Sequence, residues 1–121
     1  MNERQNSPGK TTIAPEVLET IARLTALGVP GVSRLAPVPS GVDRLFKRGA
    51  SEGILLTVEN NTVYADLFVI LNRDVNVREV SHAIQNKVAR AISEMVGMEV
   101  GKVNIHIEDI DYTRESNRPN A

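Results

Sequence analysis

Hydrophobic and polar positions alternate most cleanly in the middle of the chain, where "GILLTVE" (53–59) and "TVYADLFVIL" (62–71) flank Asn60-Asn61. Two extended runs joined by two residues that tolerate positive φ predict a β-hairpin with a tight turn. In the second run Val63, Ala65, Leu67, Val69 and Leu71 fall on one face, and Tyr64, Asp66, Phe68 and Ile70 on the other. The first face is wholly apolar and the second mixed. That contrast predicts a sheet covered by helices on one side and partly open on the other.

Helical spacing replaces alternation on either side of the hairpin. "EVLETIARLTAL" places Val17, Ile21 and Leu24 on one stripe with Leu18 and Thr25 beside it, and Glu16, Glu19 and Arg23 on other, solvated faces. Pro15 suits the first turn, and Gly28 suits the residue after the last. "NVREVSHAIQNKVARAISEMVGM" (76–98) opens with an Asn76-x-x-Glu79 capping box and repeats Val77, Val80, Ile84, Val88, Ala91, Ile92 and Met95 before Gly97. "KTTI" (10–13) and a segment near 32–35 read as short strands. "KVNIHIEDI" reads as a last strand, with Val103, Ile105 and Ile107 inward and Asn104, His106 and Glu108 outward.

The expected order is β-α-β-β-β-α-β, an α+β two-layer sandwich with two helices packed on one face of a small mixed sheet. Residues 1–9 are expected to be a disordered lead, 10–112 one domain and 113–121 a disordered tail. Between the short strand and the hairpin, "APVPSGVDRLFKRGASEG" (36–53) has two prolines and three glycines and reads as a long loop, with room for one helical turn in "VDRLFKR". A loop of that length inside a small domain is either disordered or functional.

Composition narrows the chemistry more than it suggests any. The 121 residues contain no cysteine, which removes disulfides, thiolate metal sites and cysteine nucleophiles. Tyr64, Phe68, Phe46 and Tyr112 are the only rings besides two histidines, so stacking platforms for single-stranded nucleic acid are scarce. The polar start lacks an apolar core of a signal peptide, and "LFVIL" is far too short to span a bilayer. A cytoplasmic location is the expectation, peripheral to the membrane if a partner supplies the anchor. Net charge is −1 but unevenly placed. Arg34, Arg44, Lys47 and Arg48 face one acid, Asp43, whereas "EDIDYTRE" near the end carries four acids against one arginine. Either segment can be a partner contact or simply solvated.

No catalytic, cofactor-binding or metal site emerges. His82 lies off the apolar stripe of its helix, with no second histidine at i+4, and reads as a surface residue. His106 and Glu108 share a strand face but supply only two ligands, short of a metal shell. Neither G-x-G-x-x-G nor a P-loop occurs. Asp66, midway along an apolar strand, must be exposed or paired. The candidate interaction surface comprises Arg44, Leu45, Phe46, Lys47 and Arg48 in the loop, with Tyr64 and Phe68 on the mixed sheet face. There Tyr64, Phe68 and Ile70 form an apolar group in want of cover.

"GKTTIAPEVLETIARLTALGVPGV" and "VYADLFVILNRDVNVREVSHAIQNKVARAISEMVGMEVGKVNIHIEDI" together resemble the alkaline shock protein family of bacterial envelope stress response proteins. The likeness rests on succession: "IAPEV" opening a helix, "ADLFV" in a strand, "VREV" opening the second helix, and "GMEVGKVNIHI" leading into the last strand. It covers about residues 9–111. The resemblance implies a cytoplasmic, non-enzymatic protein linked to envelope or alkaline stress. Such a protein would act by self-assembly or through a membrane-anchored partner, with no catalytic residue to transfer. The "RLFKRG" loop departs from many relatives. The alternative is an RNA-binding module using the basic 34–48 loop, against which the net charge and the shortage of rings stand.

Overall fold

The computed structural model describes residues 8–39, the backbone of 48–51, and residues 53–113. Most of the lead expected over 1–9 and of the tail expected over 113–121 lies outside these residues, as does the helical turn expected from 42 onward. The elements are α1 (Pro15–Leu27), β1 (Val32–Leu35), β2 (Arg48–Ser51), β3 (Ile54–Glu59), β4 (Thr62–Asn72), α2 (Val77–Val96) and β5 (Glu99–Asp111). The class is α+β, and two helices pack on one face of a mixed five-stranded sheet. Each helix starts where the sequence signals it. Pro15 occupies the first turn of α1, and the Asn76 side chain accepts the Glu79 N–H at 3.0 Å to cap α2. Gly97 closes α2 in the left-handed region at φ 79°, which favours glycine. Gly28 ends α1 in a right-handed conformation instead, its N–H bonding to Leu24 O and Thr25 O.

The order differs from expectation at two places. Residues 10–13 form no strand, and β2 lies inside the stretch read as a loop. The reason is the sheet's geometry. β4 is the hub: β5 runs parallel along one edge from Thr62 to Asn72, while β3 and β1 divide the other edge. β3 pairs with residues 62–67 and β1 with 69–71. At the junction Phe68 donates its N–H to Gly53 O and accepts from Ala36 N. Both edges of β4 are therefore taken. A β-prone tetrapeptide such as "KTTI" has no place beside the hub, and propensity without a partner does not make a strand. Gly53 marks the meeting point of β1 and β3. Its φ is +83°, and a Cβ there would sit 2.5 Å from Ala36 O, so a side chain is excluded twice.

The hairpin turn forms as expected, with Asn60 and Asn61 at φ 51° and 62°. β5 carries two bulges, where Gly101 and Glu108 are the extra residues. Tyr64 lies over Gly101, so closely that a Cβ would collide with its ring.

The inner face of β4 is sealed: Val63, Leu67, Val69 and Leu71 are 0% exposed and Ala65 1%. Leu18, Ala22 and Ala26 of α1 and Val80, Ile84, Val88 and Ile92 of α2 close over it. Each fully buried large aliphatic contributes roughly 1.5–3 kcal/mol. For α2 the stripe is as expected in its centre, although Val77 and Met95 at its ends are exposed. For α1 it is rotated. Leu18, Glu19, Ala22 and Ala26 are buried, whereas Val17, Leu24 and Leu27 are exposed. Glu19, expected to face solvent, is 7% exposed. Alanines at 22 and 26 let α1 approach the sheet closely, which larger side chains would prevent.

The outer face splits in two. Its upper half forms a second core of Ala36, Val38, Leu55, Phe68 and Ile70, because the chain leaving β1 folds across it. Its lower half is polar, around Tyr64, Asp66 and His106.

Candidate interaction surface

The rotation of α1 leaves an apolar stripe pointing outward. Val17 is 45% exposed, Leu24 62% and Leu27 41%, and Ile13 just before the helix adds 39%. Val17 and Leu24 are seven residues apart and lie on one flank, with half-buried Ile21 between them. Scattered exposed aliphatics are ordinary on a surface, but a row at helical spacing is what partner helices and grooves read.

The stripe leads into a hollow of about 410 Å³ lined by Arg23, Leu27, Arg34, Leu35, Ala36 and Pro37. Its walls are apolar and its rim carries two guanidinium groups. Arg34 is held in place from behind. Its Nη1 donates to Asp111 Oδ2 at 2.9 Å, and the same oxygen accepts the Ser33 hydroxyl at 2.6 Å. Thr113 fixes the other carboxylate oxygen through its N–H at 3.1 Å and its hydroxyl at 2.6 Å. The Asp111 side chain is 4% exposed, against 58% for Arg34. Hydrogen bonds from Ser33 and Thr113, with the Arg34 charge behind them, outweigh burial and lower the Asp111 pKa from 3.8 to about 2. Asp111 is therefore ionised at any physiological pH and keeps Arg34 anchored. A second, mixed hollow of about 470 Å³ lies where α2 meets β5, lined among others by Arg90, Glu94 and Met98.

On the lower outer face, Asp66 is paired. His106 Nε2 lies 2.9 Å from Asp66 Oδ1, and Asn104 Nδ2 donates to the same oxygen at 3.2 Å. The His106 ring stacks on Phe68 with centroids 4.5 Å apart and planes 14° from parallel. Parallel register brings these groups together, since Asp66 faces Asn104 and Phe68 faces His106 across β4 and β5. Among the described residues no three metal-ligating side chains converge. His82 is exposed on α2.

Of the residues singled out from sequence, Arg44, Leu45, Phe46 and Lys47 lie outside the described residues, as does the side chain of Arg48. Tyr64 is 38% exposed but lies on Gly101. Phe68, expected on an open face, is 5% exposed and Ile70 7%: Ala36 and Val38 cover them from within the chain. Arg34, counted in the basic segment, is tied to Asp111. Sequence reasoning missed the outward stripe of α1, whose signal was available: aliphatic positions on two flanks of one short helix are more than one core face needs. The Arg34–Asp111 pair, 77 residues apart, left no local signal.

Comparison with known proteins agrees with this architecture. The MamM C-terminal domain in a copper form superposes with a TM-score of 0.51 at 13% identity, over 81% of this chain and 100% of that one. Another structure of the same domain gives 0.50 at 14%, over 79% and 99%. At such identities the likeness concerns the fold alone. In sequence, Spy1535 of Streptococcus pyogenes serotype M6 is 36% identical over 103 residues, covering 84% of this chain and 79% of that protein. YqhY of Bacillus subtilis is 25% identical over 114 residues, covering 93% and 84%. Residues 3–112 match the model of the alkaline shock protein family, whose function is described as cell envelope-related. With nearly its whole length matched, the chain belongs to that family of cell envelope-related proteins.

Proposed function

We infer that the chain is a non-enzymatic interaction protein of the envelope stress response. It works at the cytoplasmic face of the membrane by docking on a protein that carries the anchor. The observation behind this reading is the outward stripe of α1, Val17, Leu24 and Leu27, backed by Ile13. A 13-residue helix already anchored by its other face presents these side chains rigidly, so a partner is spared part of the ordering cost of binding. The histidines support the non-enzymatic part. His106 is committed to Asp66 and Phe68, and His82 stands alone on a surface helix. Among the described residues no helix is long and apolar enough to cross a membrane. In this reading the anchor belongs to the partner.

Fractionating cells that express the wild type or the double variant Val17→Asp, Leu24→Asp tests the reading. Both positions are exposed, so the variant should fold. The wild type is expected with the membrane fraction and the variant in the soluble fraction. Equal partition of the two would refute the reading.

A further inference from the structure

The hollow at the end of the α1 stripe is a more specific feature than the stripe. Apolar surface from Leu27, Leu35, Ala36 and Pro37 lies under the guanidinium groups of Arg23 and Arg34. A pocket of this size, apolar with a few convergent charges, has the usual build of a recognition site. Arg34 is prepared for the task. One of its nitrogens is bound to the buried, permanently ionised Asp111, which Ser33 and Thr113 fix in turn. More than half of the Arg34 side chain remains exposed. A guanidinium has five N–H donors in a rigid fork. Anchoring through one nitrogen leaves the rest of the fork aimed outward, with its rotamer entropy already lost in folding.

We propose that this hollow receives an acidic, leucine-bearing peptide segment of the protein partner: an aliphatic side chain enters against Leu27 and Leu35, and a neighbouring carboxylate meets Arg34 and Arg23. The proposal rests on the interaction reading above and states the partner's chemistry. Two arguments carry it. The rim charge is positive over an apolar floor, which complements an anionic apolar ligand and repels a cationic one. The hollow also continues the exposed row through Leu27, which belongs to both, so one extended segment can cover Val17, Leu24 and the hollow together.

The test uses the full chain, isotopically labelled, and short synthetic peptides that alternate leucine with glutamate, with lysine or with serine. Amide shifts are followed by NMR, and affinities by fluorescence anisotropy. The glutamate peptide is expected to shift Leu27, Leu35 and Ala36. It should bind roughly five- to tenfold more tightly than the serine peptide, with the lysine peptide weaker still. Arg34→Gln should erase most of that preference. Because Arg34 also supports Asp111, Arg23→Glu is the second variant, leaving the Arg34–Asp111 pair intact and reversing half of the rim charge. Leu27→Ser should weaken all three peptides alike.

Equal binding of the glutamate and lysine peptides would overturn the proposal, as would shifts centred on α2. Vesicles of phosphatidylglycerol form a separate arm. If they occupy the hollow and displace the glutamate peptide, the ligand is a lipid surface and the proposal is wrong. Failure here, with Val17→Asp, Leu24→Asp still releasing the protein from membranes, would remove the hollow and leave the interaction reading standing. Failure of both would remove both.

Discussion

The two faces of β4 are built from one alternating segment, yet they end in different states. Inward, five residues are sealed by helices whose stripes are local in sequence. Outward, Phe68 and Ile70 are sealed by Ala36 and Val38, which arrive from a non-local turn of the chain, while Tyr64 stays half open beside the Asp66–His106 pair. A face covered by regular elements is a matter of periodicity. A face covered by an irregular segment is decided by where that segment happens to cross. Here the crossing consumes the apolar half of the outer face and moves the available apolar surface to α1.

The comparison can be broken most violently on the inner side. Ile84→Asp places an unpaired carboxylate at a 0% exposed position and should cost more than about 4–5 kcal/mol, enough to unfold the domain. Circular dichroism would show it, and a well-folded variant would contradict the assignment of α2. Phe68→Ala probes the outer core. It should cost about 3 kcal/mol in urea unfolding, at the low end for a buried phenylalanine because only a thin layer covers the site. A loss below about 1 kcal/mol would mean that the second core is not packed.

Gly53→Ala tests the seam where β1 and β3 meet end to end. Positive φ and the approach of Ala36 O should together cost roughly 1–3 kcal/mol, read as a lowered melting temperature. A neutral alanine would refute the junction. Asp111 gives a smaller effect, recognisable by its pH dependence. Its folded pKa of about 2 lies below the ordinary 3.8. Its ionised form therefore stabilises the fold above about pH 4, and this contribution is lost as pH falls towards 2. Asp111→Asn should be less stable than wild type at neutral pH, and the gap should close between about pH 4 and 2. A gap independent of pH would assign the effect to packing. His82→Ala, at the other extreme, should change stability by less than about 0.5 kcal/mol.

Much of the fold was legible because its signals are local. The hairpin turn at Asn60-Asn61, the Asn76 cap and the α2 stripe all form where periodicity and capping chemistry place them. The α1 face was misread for a physical reason. Val17, Ile21 and Leu24 outweigh Ala22 and Ala26 in hydrophobicity, yet the small residues are what allow the close approach of helix to sheet. β2 was invisible because its four residues, Arg48–Ser51, carry no β signal and are ordered by pairing with β3. For the interaction surface the sequence pointed to Phe68, which is covered, and passed over Leu24 and Leu27, which are open. The Arg34–Asp111 anchor required register between strands on opposite edges of β4, which no local pattern encodes.

The central claim is that α1 docks on a partner through its outward flank. A photo-crosslinking amino acid at Leu24, compared with one at His82, tests it in living cells. Both positions are exposed on helices, and they differ in whether an apolar row surrounds them. The account predicts a discrete membrane-protein adduct from position 24 and none from position 82. Adducts from both positions alike, or from neither, would contradict it.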